Sequence, residues 1–291
     1  MAIRYWEGDE SANISTANNW DGNTLPADDD TIIFSDDSVT FKDLTGDLSA
    51  KQNLHMIVGT RWTGTFGTSV AAAVFQLDSL EYSGQAQEAF IDLKAQDVGS
   101  STTSVTVADT GSGDNALSLG GTAPLGTLRV LGGKGRISNR QVSRTITTVE
   151  VFGVSNSTID ISTVASSGET LRMDSGTVTI GGNYTNITVS GGVLIIEGTA
   201  TSIATLDLFE GRVNYNVSGI ASAITSSLSI YDGEFDASDT TASVATISGA
   251  ELYESGKINE QNGLESIVWS GGIAYYGGNL LLDAGRVVTL S

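Results

Sequence analysis

The stretch LRMDSGTVTIGGNYTNITVSGGVLII, residues 171–196, contains one ten-residue pattern twice. Each copy reads apolar, any, apolar, two small or polar residues, glycine, any, apolar, any, apolar. The glycine of the first copy is Gly176 and that of the second is Gly192. Apolar residues at every second position are typical of a β-strand with one buried face, and glycine permits a tight bend between two such strands.

The same pattern recurs through the second half of the chain. Further copies are LDLFEGRVNY, LSIYDGEFDA, ELYESGKINE, IVWSGGIAYY and LLLDAGRVVT, centred on Gly211, Gly233, Gly256, Gly272 and Gly285. A unit this short cannot bury a core alone, so the units must stack with like residues above one another. The sequence therefore predicts an all-β fold, a single-stranded parallel β-helix or solenoid, right-handed by the usual rule for parallel crossovers.

The predicted organisation has two parts. Residues 1–50 are expected to form an atypical N-terminal cap or docking segment, and residues 51–291 the β-helix. Within the β-helix, residues 51–125 predict irregular rungs with long loops and residues 126–291 predict regular rungs. An antiparallel β-sandwich is the alternative fold, because Asp232-Gly233 is a dipeptide favoured in two-residue hairpin turns.

Composition excludes several classes of function. The chain has 34 acidic and 14 basic residues, and its net charge of −20 opposes binding to nucleic-acid phosphates and to anionic membranes. It has no cysteine and a single histidine, His55, which argues against thiol nucleophiles and multi-histidine metal centres. We expect no cofactor. No segment approaches 18 consecutive apolar residues and the N-terminus does not resemble a secretory signal, so neither a membrane span nor standard export is predicted.

Acidic residues are candidates for metal ligands and for catalytic groups. Calcium prefers clustered carboxylates, but the order of a calcium loop is missing, so we expect solvated charge at Asp28, Asp29, Asp30, Asp36 and Asp37. Acid–base chemistry needs two carboxylates on one face, whereas the pattern places the rung acids near separate turns: Asp174, Asp207, Asp232 and Glu254. The sequence therefore predicts no catalytic residues, no metal site and no enzyme.

One dense basic cluster holds five of the fourteen basic residues: Arg129, Lys134, Arg136, Arg140 and Arg144. Two interpretations remain open. The cluster is either a solvated edge that balances nearby acids or a docking patch for an acidic neighbouring subunit. Nucleic acid is disfavoured because no aromatic residues are interleaved with these cations.

Aromatic residues supply further candidates for contact with a partner. Trp6 and Trp20 belong to the predicted cap or docking segment, and Tyr275 alternates outward in the last rungs, whereas Trp269 falls on an inward position. A stripe for sugar stacking or subunit contact could also include Phe209, Tyr253 and Tyr276. The final rung, LLLDAGRVVTLS, lacks a polar capping segment, so we expect this end to abut another chain.

The N-terminal segment carries a resemblance to known proteins. It orders W-x-G, N-W, P and D-x-x-x-F at Trp6, Gly8, Asn19, Trp20, Pro26, Asp30 and Phe34. This order resembles the N-terminal segment of β-helical virion proteins and autotransporter-type surface proteins. With the glycine-centred rungs and the lack of an export signal, it is most similar to tailed-bacteriophage virion proteins, in particular head decoration (cement) proteins.

The resemblance implies a structural role without chemistry. The expected location is the exterior of the capsid, after assembly in the host cytoplasm. The implied partners are the major capsid protein and copies of this chain, in an oligomer such as a trimer, with no nucleic acid and no membrane. A tail fibre or spike segment that binds host glycans is the alternative, and a polysaccharide lyase is the least favoured.

Overall fold

The structure, a computed structural model, describes residues 1–35, 38–96, 102–140, 144–153, 157–162, 168–198, 202–217, 222–236, 245–247, 250–252, 256–259, 267–269 and 279–281. Its helices in these ranges are two short 3₁₀ turns, Ala17–Asn19 and Asp21–Asn23. No helix in the described ranges is long and apolar enough to cross a bilayer. The chain divides into an N-terminal unit, Met1–Ile146 with Val154–Thr158, and a C-terminal unit, Thr147–Gly153 with Ile159–Ser291.

The N-terminal unit contains two parallel sheets. Its strands are β1 Ile3–Tyr5, β2 Thr31–Phe34, β3 Leu54–Val58, β4 Ala73–Phe75, β5 Leu77–Tyr82, β6 Glu88–Leu93, β7 Thr103–Val107, β8 Ala116–Gly120, β9 Leu125–Val130 and β10 Arg136–Asn139. One sheet has the order β1-β2-β3-β5-β7-β9 and the other β4-β6-β8-β10. Strands that follow one another from β4 onward therefore alternate between the sheets.

The C-terminal unit repeats this arrangement more regularly. Its strands are β11 Ile146–Val151, β12 Thr158–Ile161, β13 Gly168–Met173, β14 Thr177–Ile180, β15 Tyr184–Val189, β16 Val193–Gly198, β17 Ser202–Leu208, β18 Arg212–Val217, β19 Ser222–Ile230, β20 Glu234–Asp236, β21 Ala245–Ile247, β22 Ala250–Leu252, β23 Lys257–Asn259, β24 Ile267–Trp269 and β25 Asn279–Leu281. One sheet runs β11-β13-β15-β17-β19-β21-β24, with β22 also on β19, and the other runs β12-β14-β16-β18-β20-β23-β25.

This topology is a parallel β-solenoid of about eight turns. From β4 to β21, strands adjacent in the chain lie in different sheets. Each pairs in parallel with the strand one turn away, as β13 does with β15 and β14 with β16. The predicted fold class is confirmed, and the antiparallel sandwich is not supported. Asp232-Gly233 lies between β19 and β20, which belong to different sheets, so it forms a corner rather than a hairpin turn. The handedness stays a prediction.

Apolar side chains form continuous columns inside the solenoid. In the C-terminal unit Leu171, Ile187 and Leu206 are aligned by the sheet register, and the next column contains Val189 and Leu208. All of them are buried. Each fully buried apolar side chain contributes about 2 kcal/mol, offset largely by the ordering of the chain. The inward positions that the ten-residue pattern predicts around Gly176, Gly192, Gly211 and Gly233 are therefore confirmed. Those around Gly272 and Gly285 fall outside the side chains that the structure describes.

The N-terminal segment begins the stack as well as covering it. Strands β1 and β2 lie within residues 1–50 and pair in parallel with β2 and β3 respectively. Isolated parallel bridges also join Leu44 to Phe66 and Asp47 to Val74. The segment predicted as a cap thus supplies two strands of the first sheet before the repeats become recognisable in the sequence.

The repeat glycines permit close approach between turns. Gly176, Gly192 and Gly211 have positive φ values of 77°, 79° and 86°. A Cβ on Gly192 would lie 2.6 Å from the carbonyl oxygen of Gly176. A Cβ on Gly233 would lie 2.5 Å from Cγ of Leu208, and one on Gly256 would lie 2.7 Å from the carbonyl oxygen of Ile230, so close approach alone explains these two. Gly272 and Gly285 fall outside the described residues.

A charge inside a column tests the register. We expect Val189→Asp to lower the free energy of unfolding by several kcal/mol, because an unpaired carboxylate would replace a buried side chain. Thr188→Asp is the matched control, since its side chain is half-buried on the opposite side of the same strand and should change stability by about 1 kcal/mol or less. Urea denaturation of both variants measures the difference, and equal midpoints would contradict the register.

A second substitution tests the corner glycines. Gly192→Ala should cost about 1–3 kcal/mol, because alanine is strained at positive φ and its Cβ would collide with the turn below. Gly113→Ala is the control, because its Cβ would meet only the carbonyl oxygen of Lys134, at 3.8 Å. Thermal unfolding followed by circular dichroism compares them. Unchanged melting of the Gly192 variant would show that the corner does not need glycine.

Candidate functional site

A cluster of aromatic rings closes the N-terminal unit. Phe34 lies at its centre, with ring centroids 5.4 Å from Trp62 and 5.1 Å from Phe66. Trp6 and Trp20 pack edge to face, 5.2 Å apart, and both contact Phe34. Edge-to-face pairs add to the stabilisation from burial because the positive edge of one ring meets the negative face of the other. The cluster therefore fixes the first turns of the solenoid against one another.

The two indoles that the sequence predicts as docking residues are part of this core. Trp6 Nε1 donates to the carbonyl oxygen of Phe41 at 2.8 Å, and Trp20 Nε1 donates to that of Ile14 at 2.9 Å. Both side chains are buried. The prediction that Trp6 and Trp20 dock a partner is wrong, because each indole already has its apolar and polar contacts within the chain.

The segment that follows β1 covers the edge of this first strand. The carboxylate of Asp21 accepts the backbone N–H of Tyr5 at 2.9 Å, and the carbonyl oxygen of Asn19 accepts those of Glu7 and Gly8. The buried amide of Asn19 also accepts two backbone N–H groups, from Glu10 and Ser11. Exposed strand edges invite pairing with other chains. These contacts make edge-to-edge extension from Tyr5 onward unfavourable.

Asp30 joins the chain start to the second strand. Its carboxylate is buried and accepts the backbone N–H groups of Ala2 and Ala27, and Arg4 Nε lies 3.9 Å away. Burial alone would raise the pKa of Asp30, but the two backbone donors and the charge of Arg4 outweigh it, so the pKa falls below its ordinary value of 3.8. The prediction of plain solvated charge is wrong for Asp30.

Asp28 and Asp29, which precede Asp30, contact the residues just before β3. Asp28 accepts the backbone N–H of Gln52, and Asp29 accepts the side-chain amide of Asn53. Asp36 and Asp37 fall outside the described residues. Across the part of the chain that the structure describes, no group of three or more histidine, cysteine or acidic side chains is placed to hold a metal ion.

The structure separates the predicted basic cluster. Arg144 is only 1% exposed, and its guanidinium donates to the carbonyl oxygens of Gly120 and Gly121. Burial lowers the pKa of Arg144 to about 10, with Asp92 opposing this shift and Arg140 adding to it. The prediction that Arg144 belongs to a surface patch, docking or solvated, is wrong, because the buried guanidinium bridges two backbone carbonyl groups of one turn.

Arg140 is also engaged within the N-terminal unit. It donates to Asp92 at 2.6 Å, and its guanidinium carbon lies 5.2 Å from the ring centroid of Phe90. A cation held between a carboxylate and an aromatic face has a defined orientation. Sequence reasoning missed both partners because they lie about 50 residues upstream, on β6.

The remaining three cations are exposed but do not share one sheet. Arg129 lies on β9, Arg136 begins β10 in the other sheet, and Lys134 lies in the turn between them. Arg136 lines an open cleft of about 710 Å³ with Gln87, Glu88, Gly113 and Asp114. The neighbouring carboxylates favour the interpretation of a solvated edge for Arg136. Docking by these three residues stays a prediction, as does docking by Tyr275, which falls outside the described residues together with Tyr253 and Tyr276.

The surface that sequence reasoning missed is apolar and lies on the outer side of β1, β2 and β3. We call it the N-terminal apolar face, and it consists of Ile3, Tyr5, Ile33 and Ile57. The register aligns Tyr5, Ile33 and Ile57 in one column. Ile3 is 54% and Tyr5 47% exposed, and the two other isoleucines are half-buried. Further along, the same column carries Glu81 instead.

A cleft adjoins this face. Its volume is about 470 Å³, and it is lined by Tyr5, Trp6, Glu7, Asp9, Ser35, Ser38, Val39 and Thr40. A sequence signal for the face does exist, because Ile32-Ile33-Phe34 and Met56-Ile57-Val58 are runs of three apolar residues within strands. Such runs indicate apolar side chains on both sides of a strand, whereas the later rungs mostly alternate.

The low pKa of Asp30 predicts how stability depends on pH. Because the carboxylate ionises more readily in the folded chain, its stabilisation is complete above the ordinary pKa of 3.8 and is lost as the pH falls below that value. Asp30→Asn should cost about 1–3 kcal/mol at pH 7 and should reduce the acid-dependent loss of stability.

Urea midpoints between pH 7 and pH 2.5, measured on dilute protein because the isoelectric point is about 4.1, test this prediction. Asp114→Asn is the control because it removes an exposed carboxylate. An identical pH profile for wild type and the Asp30 variant would contradict the assigned role.

Comparisons with known proteins identify no relative of this chain. No protein-family model, no curated protein and no solved structure matches the chain. The residues and geometry described above are therefore the basis for proposing a function.

Proposed function

We propose that this protein is a structural component of a tailed-phage virion that decorates the capsid exterior and stabilises the head by binding the major capsid protein. The observation that carries the proposal is the N-terminal apolar face, an outward group of four apolar side chains on a strongly acidic chain. Apolar surface of this kind on a rigid element is typical of protein–protein contact.

The N-terminal motif residues between Trp6 and Phe34 favour the proposal, because they form the structure that underlies the apolar face. Phe34 and the two tryptophans form the core beneath it. The side chains of Asn19 and Asp30 accept hydrogen bonds from backbone N–H groups of the segments that flank it. Gly8 adopts a φ of 58°, and an added Cβ would lie 2.6 Å from the carbonyl oxygen of Phe41. The motif is thus a compact set of structural residues that presents Ile3 and Tyr5 outward.

The physical basis of decoration is contact area rather than chemistry. Burial of apolar surface contributes about 25 cal/mol per Å², and a rigid solenoid loses little conformational entropy when it binds. The net charge of −20 keeps decorated particles mutually repulsive in solution. The same charge favours a capsid partner whose contact surface is neutral or basic. An oligomer of this chain on the capsid remains part of the proposal.

Co-sedimentation with empty capsids of the source virus tests the proposal. Wild-type protein should sediment with capsids at a fixed stoichiometry. The double variant Ile3→Thr, Tyr5→Thr should bind roughly tenfold more weakly or worse, because it removes the two most exposed side chains of the face and keeps good strand formers in β1.

Val70→Thr is the matched control. Val70 is 94% exposed in a loop, so its substitution removes apolar surface outside the face and should leave capsid binding unchanged. Circular dichroism establishes that each variant is folded. Wild-type protein that fails to sediment with capsids would overturn the function, and a double variant that binds like wild type would remove the apolar face from it.

A further inference from the structure

Two stacked aromatic rings stand on the surface of the C-terminal unit. The rings of Phe209 and Tyr231 are nearly parallel, with an interplanar angle of 5° and centroids 4.6 Å apart. Phe209 is 42% exposed, and no other large apolar side chain described in this unit is as exposed. Successive rungs of a sheet are about 4.8 Å apart, so the ring faces, rather than their edges, point along the stack.

The rungs that carry these rings are held in register by backbone hydrogen bonds. Each residue that follows the last inward position of its strand donates to the turn before it: Phe209 N–H to Val189 O, and Tyr231 N–H to Leu208 O, both at 2.8 Å. Ser190 N–H donates to Met173 O at 2.7 Å, and Asp174 N–H to Val151 O at 2.9 Å. Asp174, Ser190, Phe209 and Tyr231 therefore form one surface column.

This column leaves one face of Phe209 without a ring above it. Tyr231 covers one side of Phe209, whereas the rung on the other side presents Ser190, an exposed and small residue. Ser190 is followed by Gly191 and Gly192, so this rung has little side-chain bulk near the column. The next rung presents the exposed carboxylate of Asp174. A flat opening above an aromatic face is thus bordered by a hydroxyl and a carboxylate.

We propose that this opening is a saccharide-binding site in which a neutral pyranose ring stacks on Phe209. The C–H groups on one face of a pyranose carry partial positive charge and are attracted to the negative face of an aromatic ring. Its hydroxyl groups need hydrogen-bond partners around the rim, and Ser190 and Asp174 supply an acceptor and donor at the hydroxyl and acceptors at the carboxylate. The site goes beyond the capsid role and does not depend on it.

The surrounding charge selects the class of saccharide. Asp174, Glu210 and Asp232 are all exposed in the same turn region, and the chain as a whole carries a net charge of −20. These carboxylates repel uronic and sialic acids, whereas neutral hexoses are not affected by the field. A neutral oligosaccharide is therefore favoured over an acidic one.

Titration calorimetry with defined oligosaccharides tests the site on the full chain. The probes are maltohexaose, cellohexaose, mannohexaose and hexa-N-acetylchitohexaose, with hexagalacturonate as the anionic comparator. We expect saturable binding of at least one neutral probe and at least tenfold weaker binding of hexagalacturonate. Phe209→Leu, which removes the ring and keeps apolar bulk, should weaken the neutral probe by tenfold or more.

A second variant blocks the opening instead of removing its aromatic face. Ser190→Tyr should place a third ring on the stack and fill the opening, so it should abolish binding without lowering the melting temperature. If Phe209→Leu does not fold, this variant tests saccharide binding at the opening by itself. Phe41→Leu is the matched control, since it makes the same substitution at an exposed phenylalanine of the other unit and should bind like wild type.

Three results would overturn the proposal. The first is that none of the neutral probes shows saturable binding at millimolar concentration. The second is wild-type affinity in the two site variants. The third is a change in self-association on Phe209→Leu without any saccharide binding, which would assign the ring pair to a protein interface instead.

Discussion

The fold depends on one constraint, which is that like residues of successive turns must lie directly above one another. Parallel backbone hydrogen bonds fix the spacing, and the apolar columns inside the solenoid fill the space that this spacing creates. Leu171, Ile187 and Leu206 show the result, since the register pairs each with a buried aliphatic residue one turn away. A shift of one residue would turn every such side chain outward. The corner glycines maintain the constraint because they let adjacent turns approach closely.

A stacked column of this kind needs a cover for the apolar side chains at its first described turn. The N-terminal unit provides this cover with polar and aromatic groups. Arg4 occupies the inward position opposite Ile32, so a charged side chain ends the column there. Asp30 lies close to its guanidinium, and the aromatic cluster fills the remaining volume. The cost of burying these polar groups is offset by hydrogen bonds to the backbone of the same segment.

Because the register constrains the inward side chains, the turns differ mainly in their outward side chains. The outward column of the second sheet in the C-terminal unit alternates in charge through Arg212, Glu234 and Lys257. The column after the first sheet's strands carries the stacked rings of Phe209 and Tyr231, and β1 to β3 carry the N-terminal apolar face. Both proposed binding surfaces therefore lie on a scaffold whose core does not need to change when they do.

In the repeats from Leu171 to Asp236, the sequence by itself determined the strands, the corner glycines and the inward positions, because a period of two residues is a local property that survives in any window of ten. It also indicated the parallel solenoid, since units with one buried face must stack. Only the tertiary structure decided the fate of individual polar residues. Asp30 is buried against a partner 28 residues away, and the half-buried Arg140 pairs with an acid 48 residues away. Trp6, Trp20 and Arg144 became core residues for the same reason: burial depends on which turn lies next to a residue, and a stack of turns of unequal length does not show that neighbour in the local sequence.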